Sequence, residues 1–323
     1  MFKTAEAVTP RHPDKMCDII SDVILDACLA QDSQSRVAIE TMGGHNIISL
    51  TGELSTKANI NFPDLVRGIV GPEYGIQTNI VNQSREISQG VDSGGAGDQG
   101  IMVGYACHEN EAFMPQETYL AKSLAQYIYH YYPNDGKVQI TMDERAVETI
   151  VASFCQTPKA KLEIIVNEWR KKILIGSVKN VYLNPAGDWD TGGFNADTGL
   201  TGRKLACDNY GPQIPIGGGA FSGKDATKVD RSGAYMARKI AVDLLKKYEA
   251  QEVLVKLAYA IGRSEPVMAT AQITNQDKEI YNVPILGYDL SPIGIITFLD
   301  LDKPQYRQVA EWGSFGQGFR WDR

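Results

Sequence analysis

Apolar residues recur at helical spacing in three places along the chain. Met16, Ile19, Ile20, Val23 and Ala27 form a stripe over residues 14–31, with Pro13 suited to the first helical position. Leu120, Leu124, Ile128 and Tyr131 do the same over 118–132, and Ala234, Ala237, Ala241, Leu244 and Tyr248 over 230–248. Two strand-like runs follow each stripe: RVAIET and IISLTGEL, then KVQITMD and VETIVASF, then EVLVKLAYAIG and PVMATAQIT. A helix that lays an apolar stripe on a hairpin sheet makes one α+β layer pair. Three such units predict three similar α+β domains, each a β-sheet covered by helices, over 1–90, 96–190 and 192–323. Their uneven starts exclude a short-period solenoid.

Along the first helix Asp18, Asp22 and Asp26 recur every fourth residue, a spacing expected of a solvated acidic face. Asp14 stands apart, in the first turn beside free backbone N–H groups, as a candidate oxygen ligand for magnesium. The stretches between the periodic segments are irregular and glycine-rich: SQGVDSGGAGDQG (88–100), NPAGDWDTGGFNADTGLTGRK (184–204) and GPQIPIGGGAFSGKD (211–225). Long irregular segments in a compact protein tend to carry function.

Composition narrows the chemistry. A formal net charge of −7 gives no general attraction for nucleic acid or an anionic membrane, so a polyanion must meet a local basic cluster. No apolar run approaches the ~20 residues of a membrane span, and the N-terminal residues have no signal-peptide pattern. Five cysteines without a C-x-x-C pair read as buried thiols of a cytoplasmic protein. With four histidines and no H-x-x-x-H spacing, transition-metal chemistry is not expected.

Gly218, Gly223 and Lys224 fit the phosphate-loop template, but Asp225 occupies the Ser/Thr position and two prolines precede the loop where a strand belongs. The Walker reading therefore fails, while Lys224, Lys228 and Arg231 still form a run of cations before a helix start. Gly95, Gly97 and Gly100 satisfy G-x-G-x-x-G without a preceding strand, which rejects a dinucleotide fold. His12 opens the first helix in RHPDK, and GLTGRK places Arg203 and Lys204 side by side. His12, Lys137, Arg203, Lys204, Lys224 and Lys228 are cations at turn positions, with Asp14, Asp98, Asp197 and Asp230 in similar settings. Magnesium-bridged triphosphate suits that mixture.

HPDK, GAGDQG, GLTGRK and GGGAFSGKD followed by KVDRS, in this order, resemble S-adenosylmethionine synthetase (methionine adenosyltransferase), as do YAIG at 259–262 and the closing WGSFG. The resemblance covers nearly the whole chain. It implies three domains around a pseudo-threefold axis, and homodimers, or pairs of dimers, with active sites shared between subunits. It implies a reaction of ATP with L-methionine that yields S-adenosylmethionine and a triphosphate, then split into pyrophosphate and phosphate. By the same resemblance His12, Lys137, Arg203 and Lys224 are catalytic. Asp135, Asp188, Trp189, Asp197, Lys204, Ala220 and Ile261 join them around ATP, with Trp189 at the adenine-stacking position. Glu53, Gln89, Asp98, Asp197 and Lys228 match the methionine site, Asp14 and Asp230 hold magnesium, and Glu40 holds potassium.

The implied chemistry suits the residues. A thioether sulfur has no proton to lose, so no general base is needed, and preorganised cations stabilise the departing triphosphate. The chain departs from the family at Arg11 (usually Gly), at Trp189 (often Phe), at Asp188 (usually basic) and in PQIPI, where a His is usual. The segment between Gln89 and Gly97, the family's gating loop, is shortened, as is the C-terminal end. Together these changes predict loosened nucleotide or methionine-analogue selectivity. Two rivals stand beside this reading: another ATP-dependent phosphotransferase and a non-catalytic nucleotide-binding relative.

Overall fold

A computed structural model describes residues 1–83, 94–173 and 176–323. The first third gives β1 (Phe2–Val8), α1 (Pro13–Gln31), β2 (Arg36–Gly44), β3 (Ile47–Ser55), α2 (Phe62–Val70) and β4 (Gly75–Val81). The second gives β5 (Gly100–Cys107), α3 (Gln116–Tyr131), β6 (Gly136–Asp143), β7 (Ala146–Phe154), α4 (Lys159–Lys172) and β8 (Asn180–Leu183). The third gives β9 (Gly199–Leu200), α5 (Leu205–Asp208), α6 (Val229–Tyr248), β10 (Glu252–Tyr259), β11 (Met268–Thr274), β12 (Ile280–Val283), α7 (Pro292–Leu299) and α8 (Tyr306–Trp312). The three periodic helices and their hairpins all form where the apolar spacing puts them. No helix among the described residues is long and apolar enough to cross a membrane.

The strands make three four-stranded sheets, ordered β4-β3-β2-β9, β1-β6-β7-β8 and β12-β11-β10-β5. Each sheet keeps its own hairpin and takes an edge strand from another third of the chain. β1 joins the central sheet by pairing antiparallel with β6, Phe2 opposite Asp143 and Val8 opposite Lys137. β5 joins the last sheet beside β10, and β9 joins the first beside β2. The exchange runs in a cycle: first to second, second to third, third to first. α1, the first and last sheets and α6 share one continuous apolar core, while α3 and α4 pack with the central sheet around another.

The acidic stripe on α1 is not a solvated face. Asp18 and Asp22 are buried, and Asp26 is half-buried. Each meets hydrogen-bond donors that sequence spacing does not show. Asp26 caps α8 by accepting from the N–H groups of Gln305, Tyr306 and Arg307 at 2.9–3.0 Å. Asp22 binds Arg231 through both carboxylate oxygens at 2.6 and 2.7 Å. Arg231 is thus removed from the cation run expected around Lys224; it is a core residue.

Candidate active site

One edge of β2 gathers the glycine-rich segments. Met42 and Gly43 pair with Leu200 and Gly199 of the GLTGRK turn. Farther along the same strand, Ala38 bridges to Lys224, and the Ile39 N–H donates to the Gly223 carbonyl at 3.1 Å. The two attachments are centred four positions apart on the strand, about 13 Å at 3.3 Å per residue. Between them Gly202 packs on Ala220 so closely that a Cβ on the glycine would lie 2.6 Å from the alanine's. Gly202 also has φ of +82°, so its place favours glycine on two counts.

The mouth of α1 faces this edge. His12 is the N-cap, its Nδ1 accepting from the Asp14 N–H at 3.2 Å. Asp14 accepts from the Leu200 N–H at 2.9 Å and from Lys204 Nζ at 2.5 Å, with Arg203 Nε 3.3 Å away. Burial alone would raise the Asp14 carboxyl, but these donors outweigh it and hold it below its usual range. Lys137 lies on β6 opposite Val8, the last residue of β1 before the helix, and pairs with Glu6 at 2.5 Å. Glu6 in turn accepts from Cys207 Sγ at 3.3 Å, which brings Lys137 to the end of the Arg203–Lys204 segment. Glu6 belongs to a short strand whose buried apolar residues are only Ala5, Ala7 and Val8, with no motif around it to single it out.

His12 corrects one expectation. Burial, with the Lys204 charge beside it, pushes the imidazole down to about 4. It is neutral at physiological pH and not one of the cations. Asp135 accepts from the Gly193 N–H at 2.8 Å, and burial raises its carboxyl, with Asp197 nearby adding to the effect. A cleft of about 330 Å³ opens beside it, lined by Arg11, Gln156 and Gly192 among others. Trp189 is half-buried next to Gln156, accepting that residue's N–H at 2.8 Å, and its indole Nε1 is buried without a partner. Asp188 accepts instead from Asn184 Nδ2 and from the Lys159 N–H at the start of α4, at 2.8 and 2.9 Å.

Lys224 and Asp230 pair at 2.7 Å at the start of α6. Gly219 and Gly100 both crowd Asp230; a Cβ on Gly219 would meet its carboxyl carbon at 2.3 Å. Asp225, the acid in place of a Walker hydroxyl, is a buried anchor. It accepts from the Val37 N–H at 2.6 Å, the Thr227 N–H at 2.9 Å and the Thr227 hydroxyl at 2.6 Å. Lys228 Nζ adds a fourth bond at 2.5 Å, which ties this methionine-site candidate to the loop base. The GKD sequence thus fastens the loop to β2.

Ile261 is exposed beyond the end of β10, where the Gly262 N–H meets the Ala96 carbonyl at 2.8 Å and joins YAIG to GAGDQG. Asp98 and Asp197 are exposed, each accepting the next residue's N–H at 2.7 Å. Glu40 and Glu53 lie on one face of the first sheet, because Ala38 opposes Glu53 and Glu40 opposes Thr51. That is the face away from α1. Gln89 and the shortened segment around it lie outside the described residues.

Among the described residues no three or more His, Cys, Asp or Glu side chains gather as a metal cage. Magnesium held through substrate phosphates needs only one or two carboxylates, and Asp14 and Asp230 lie at two points of the same edge. Both fit that role. Glu40 is exposed and shares its open sheet face with Glu53, two carboxylates with no other cation ligand beside them among the described residues.

Family models for S-adenosylmethionine synthetase match the chain throughout: the N-terminal domain at residues 1–88, the central domain at 93–189 and the C-terminal domain at 191–323. The chain is 37% identical to an S-adenosylmethionine synthase of Brachyspira hyodysenteriae, covering all of this chain and 95% of that one. It is 38% identical to one of Petrotoga mobilis, covering 100% and 96%. A solved structure of an unusual S-adenosylmethionine synthetase from Campylobacter jejuni superposes with a TM-score of 0.88 at 30% identity, over 100% of this chain and 96% of that one. The alignments to the two synthases span 378 and 387 positions, more than the 323 residues here, so this chain is shortened internally relative to them. With every third matched and both GLTGRK and GGGAFSGKD zipped to one strand edge, the chain belongs to the S-adenosylmethionine synthetase family.

Proposed function

We propose that the side chains along the β2 edge grip the triphosphate of ATP while methionine sulfur attacks ribose C5′. The activity is that of the family, methionine adenosyltransferase. The observation that carries the residue roles is the attachment of both cation-bearing segments, 199–204 and 223–225, to one strand. Lys137, Arg203, Lys204 and Lys224 stabilise negative charge as it builds on the leaving oxygens. Their charges are paired with Glu6, Asp14 and Asp230, and a triphosphate exchanges those partners for its own oxygens. His12, neutral at the mouth of α1, donates a hydrogen bond to a phosphate oxygen from Nε2 while Nδ1 stays on the helix. Members of the family depend on metal ions. Asp14 and Asp230 are proposed to hold magnesium, which when bound neutralises phosphate charge, and Glu40 to hold potassium.

Asp135, Trp189, Ala220 and Ile261 are assigned to the nucleoside, and Glu53, Gln89, Asp98, Asp197 and Lys228 to methionine. The adenine contact falls to Trp189, since Asp188 Oδ1 already accepts from Asn184 Nδ2 and from the Lys159 N–H at the start of α4. Glu53 and Glu40 share their open face with Met42, Ile47 and Val81, all exposed. An uncovered sheet face with apolar residues beside candidate ligands supports a homodimer that completes each site across the subunits. Five free buried thiols support a reducing, cytoplasmic setting. The test is to incubate the protein with methionine, ATP, magnesium and potassium and to measure sulfonium product. Product that is lost in Lys224→Ala with folding intact supports the assignment; undiminished turnover in that variant removes it.

A further inference from the structure

Lys15 of HPDK has no part in the site described above, yet it is buried at 1% exposure. Its Nζ lies 2.7 Å from Asp208 and 3.3 Å from Asp18, which is itself buried. Asp18 Oδ1 accepts from the Gly202 N–H at 2.9 Å, while Oδ2 is buried with no hydrogen-bond donor, facing the Lys15 charge. A second buried lysine closes the group: Lys122 of α3 donates to the main-chain carbonyls of Asp208 and Phe315 at 3.0 and 3.2 Å. Phe315 belongs to WGSFG, a motif that the reaction leaves unused.

Two lysines and two aspartates in the interior make a neutral quartet, and such groups rarely repay their desolvation in stability. Their placement suggests another use. Gly202 immediately precedes Arg203 and Lys204, and Asp208 ends the short helix that follows them. The cation pair is therefore strung between two anchors, and both anchors are held by one turn of α1, at positions 15 and 18. Asp14, in the same turn, holds Leu200 and Lys204 directly.

We propose that Lys15 and Asp18 are positioning residues for triphosphate handling: through Asp208 and Gly202 they fix the two ends of the Arg203–Lys204 segment against the mouth of α1. This rests on the assignment of Arg203 and Lys204 to phosphate. Burial, with the Asp208 charge nearby, pushes the Asp18 carboxyl up to about 6, and burial pushes the Lys122 ammonium down to about 8, so the quartet holds its charges at a cost. A change of about 1 Å in a phosphate-gripping cation can cost on the order of 100-fold in rate.

The test uses the full chain and compares hydrolysis of inorganic tripolyphosphate with S-adenosylmethionine formation in Asp18→Ala, Asp18→Asn, Lys15→Met and Lys15→Arg, with circular dichroism as the fold check. Asp18→Ala is expected to raise KM for tripolyphosphate about tenfold or more while KM for methionine stays within about twofold. Asp18→Asn keeps an acceptor for the Gly202 N–H and is expected to recover most of the loss, which a charge-only or purely structural role would not give. The inference is overturned if KM for tripolyphosphate is unchanged in Asp18→Ala, if both KM values rise together, or if Asn does no better than Ala. Should Asp18→Ala not fold, the lysine pair decides. Lys15→Met with a raised tripolyphosphate KM and Lys15→Arg near normal supports the proposal, and equal behaviour of the two overturns it. Arg203→Ala and Lys204→Ala run alongside. If these leave tripolyphosphate KM unchanged, the phosphate assignment itself fails; if they raise it while the Asp18 and Lys15 variants do not, only the positioning role fails.

Discussion

Replacing Asp22 by Ala would strand a guanidinium in the core. Arg231 and Asp22 are exposed by 1% and 0%, paired at 2.6 and 2.7 Å. Arg231 Nε also donates to the Tyr235 hydroxyl at 2.8 Å, its NH1 to the Lys224 carbonyl at 3.1 Å, and its Cζ lies 4.2 Å from the centroid of the Tyr306 ring. None of those neutral groups replaces a carboxylate. Breaking a buried pair by deleting one partner costs about 3–5 kcal/mol, the upper half of the range applying where the survivor cannot reach water. That is a factor of on the order of 10² to 10⁴ in the folding constant. The loss also reaches the site, since Asp22 Oδ1 accepts from the Gly223 N–H at 2.8 Å, next to Lys224. Urea denaturation followed by far-UV circular dichroism measures the cost, and a cycle with Arg231→Met and the double variant isolates the coupling. The double variant Asp22→Leu, Arg231→Met is expected to recover much of the stability, because two apolar side chains leave no buried charge. A cost below about 1 kcal/mol for Asp22→Ala would refute this account of the pair.

Three further outcomes are expected. The free-protein imidazole of His12 titrates near 4 in heteronuclear NMR, and tripolyphosphate raises that value; a free-protein midpoint near the ordinary 6.5 contradicts the burial described. Because the folded value is depressed, the unfolded chain takes that proton first, so this group's contribution to stability falls as pH drops from about 6.5 to about 4. Asp230→Ala lowers kcat for S-adenosylmethionine formation by about 100-fold or more with a native circular dichroism spectrum, and a near-normal rate would remove the metal role. Asp188→Ala costs about 0.5–2 kcal/mol through the N-terminus of α4 and leaves KM for ATP near its original value, whereas a large rise in KM would return Asp188 to the adenine.

The helices and hairpins were legible because each carries a continuous apolar stripe or alternation, and the motifs were legible because glycine and charge cluster in them. What escaped was set at long range. β1 and β5 are each one strand of a sheet whose hairpin lies elsewhere in sequence, so neither has a local partner to announce it. Asp18, Asp22 and Asp26 looked like a wet face because their donors, Gly202, Arg231 and the start of α8, are far away in the chain. His12 reads as a cation from its side chain, and its neutrality comes from burial and the Lys204 charge, which a local stretch of sequence does not show. Asp225 reads as a defect in a phosphate loop until β2 is placed beside it.

The cyclic lending of edge strands bears on how this polypeptide matures on the ribosome. Phe2–Val8 waits unpaired until the segment 136–143 has been made, and the hairpin of residues 36–55 keeps an open side until 199–200 emerges. Only the first sheet lacks a strand when its own third has been made; the central and last sheets meet borrowed strands already synthesised, and β5 waits for β10. Acquisition of structure is accordingly late and dominated by distant pairings, a slow class of folding, and isolated fragments cut at the seams would present raw edges prone to self-association.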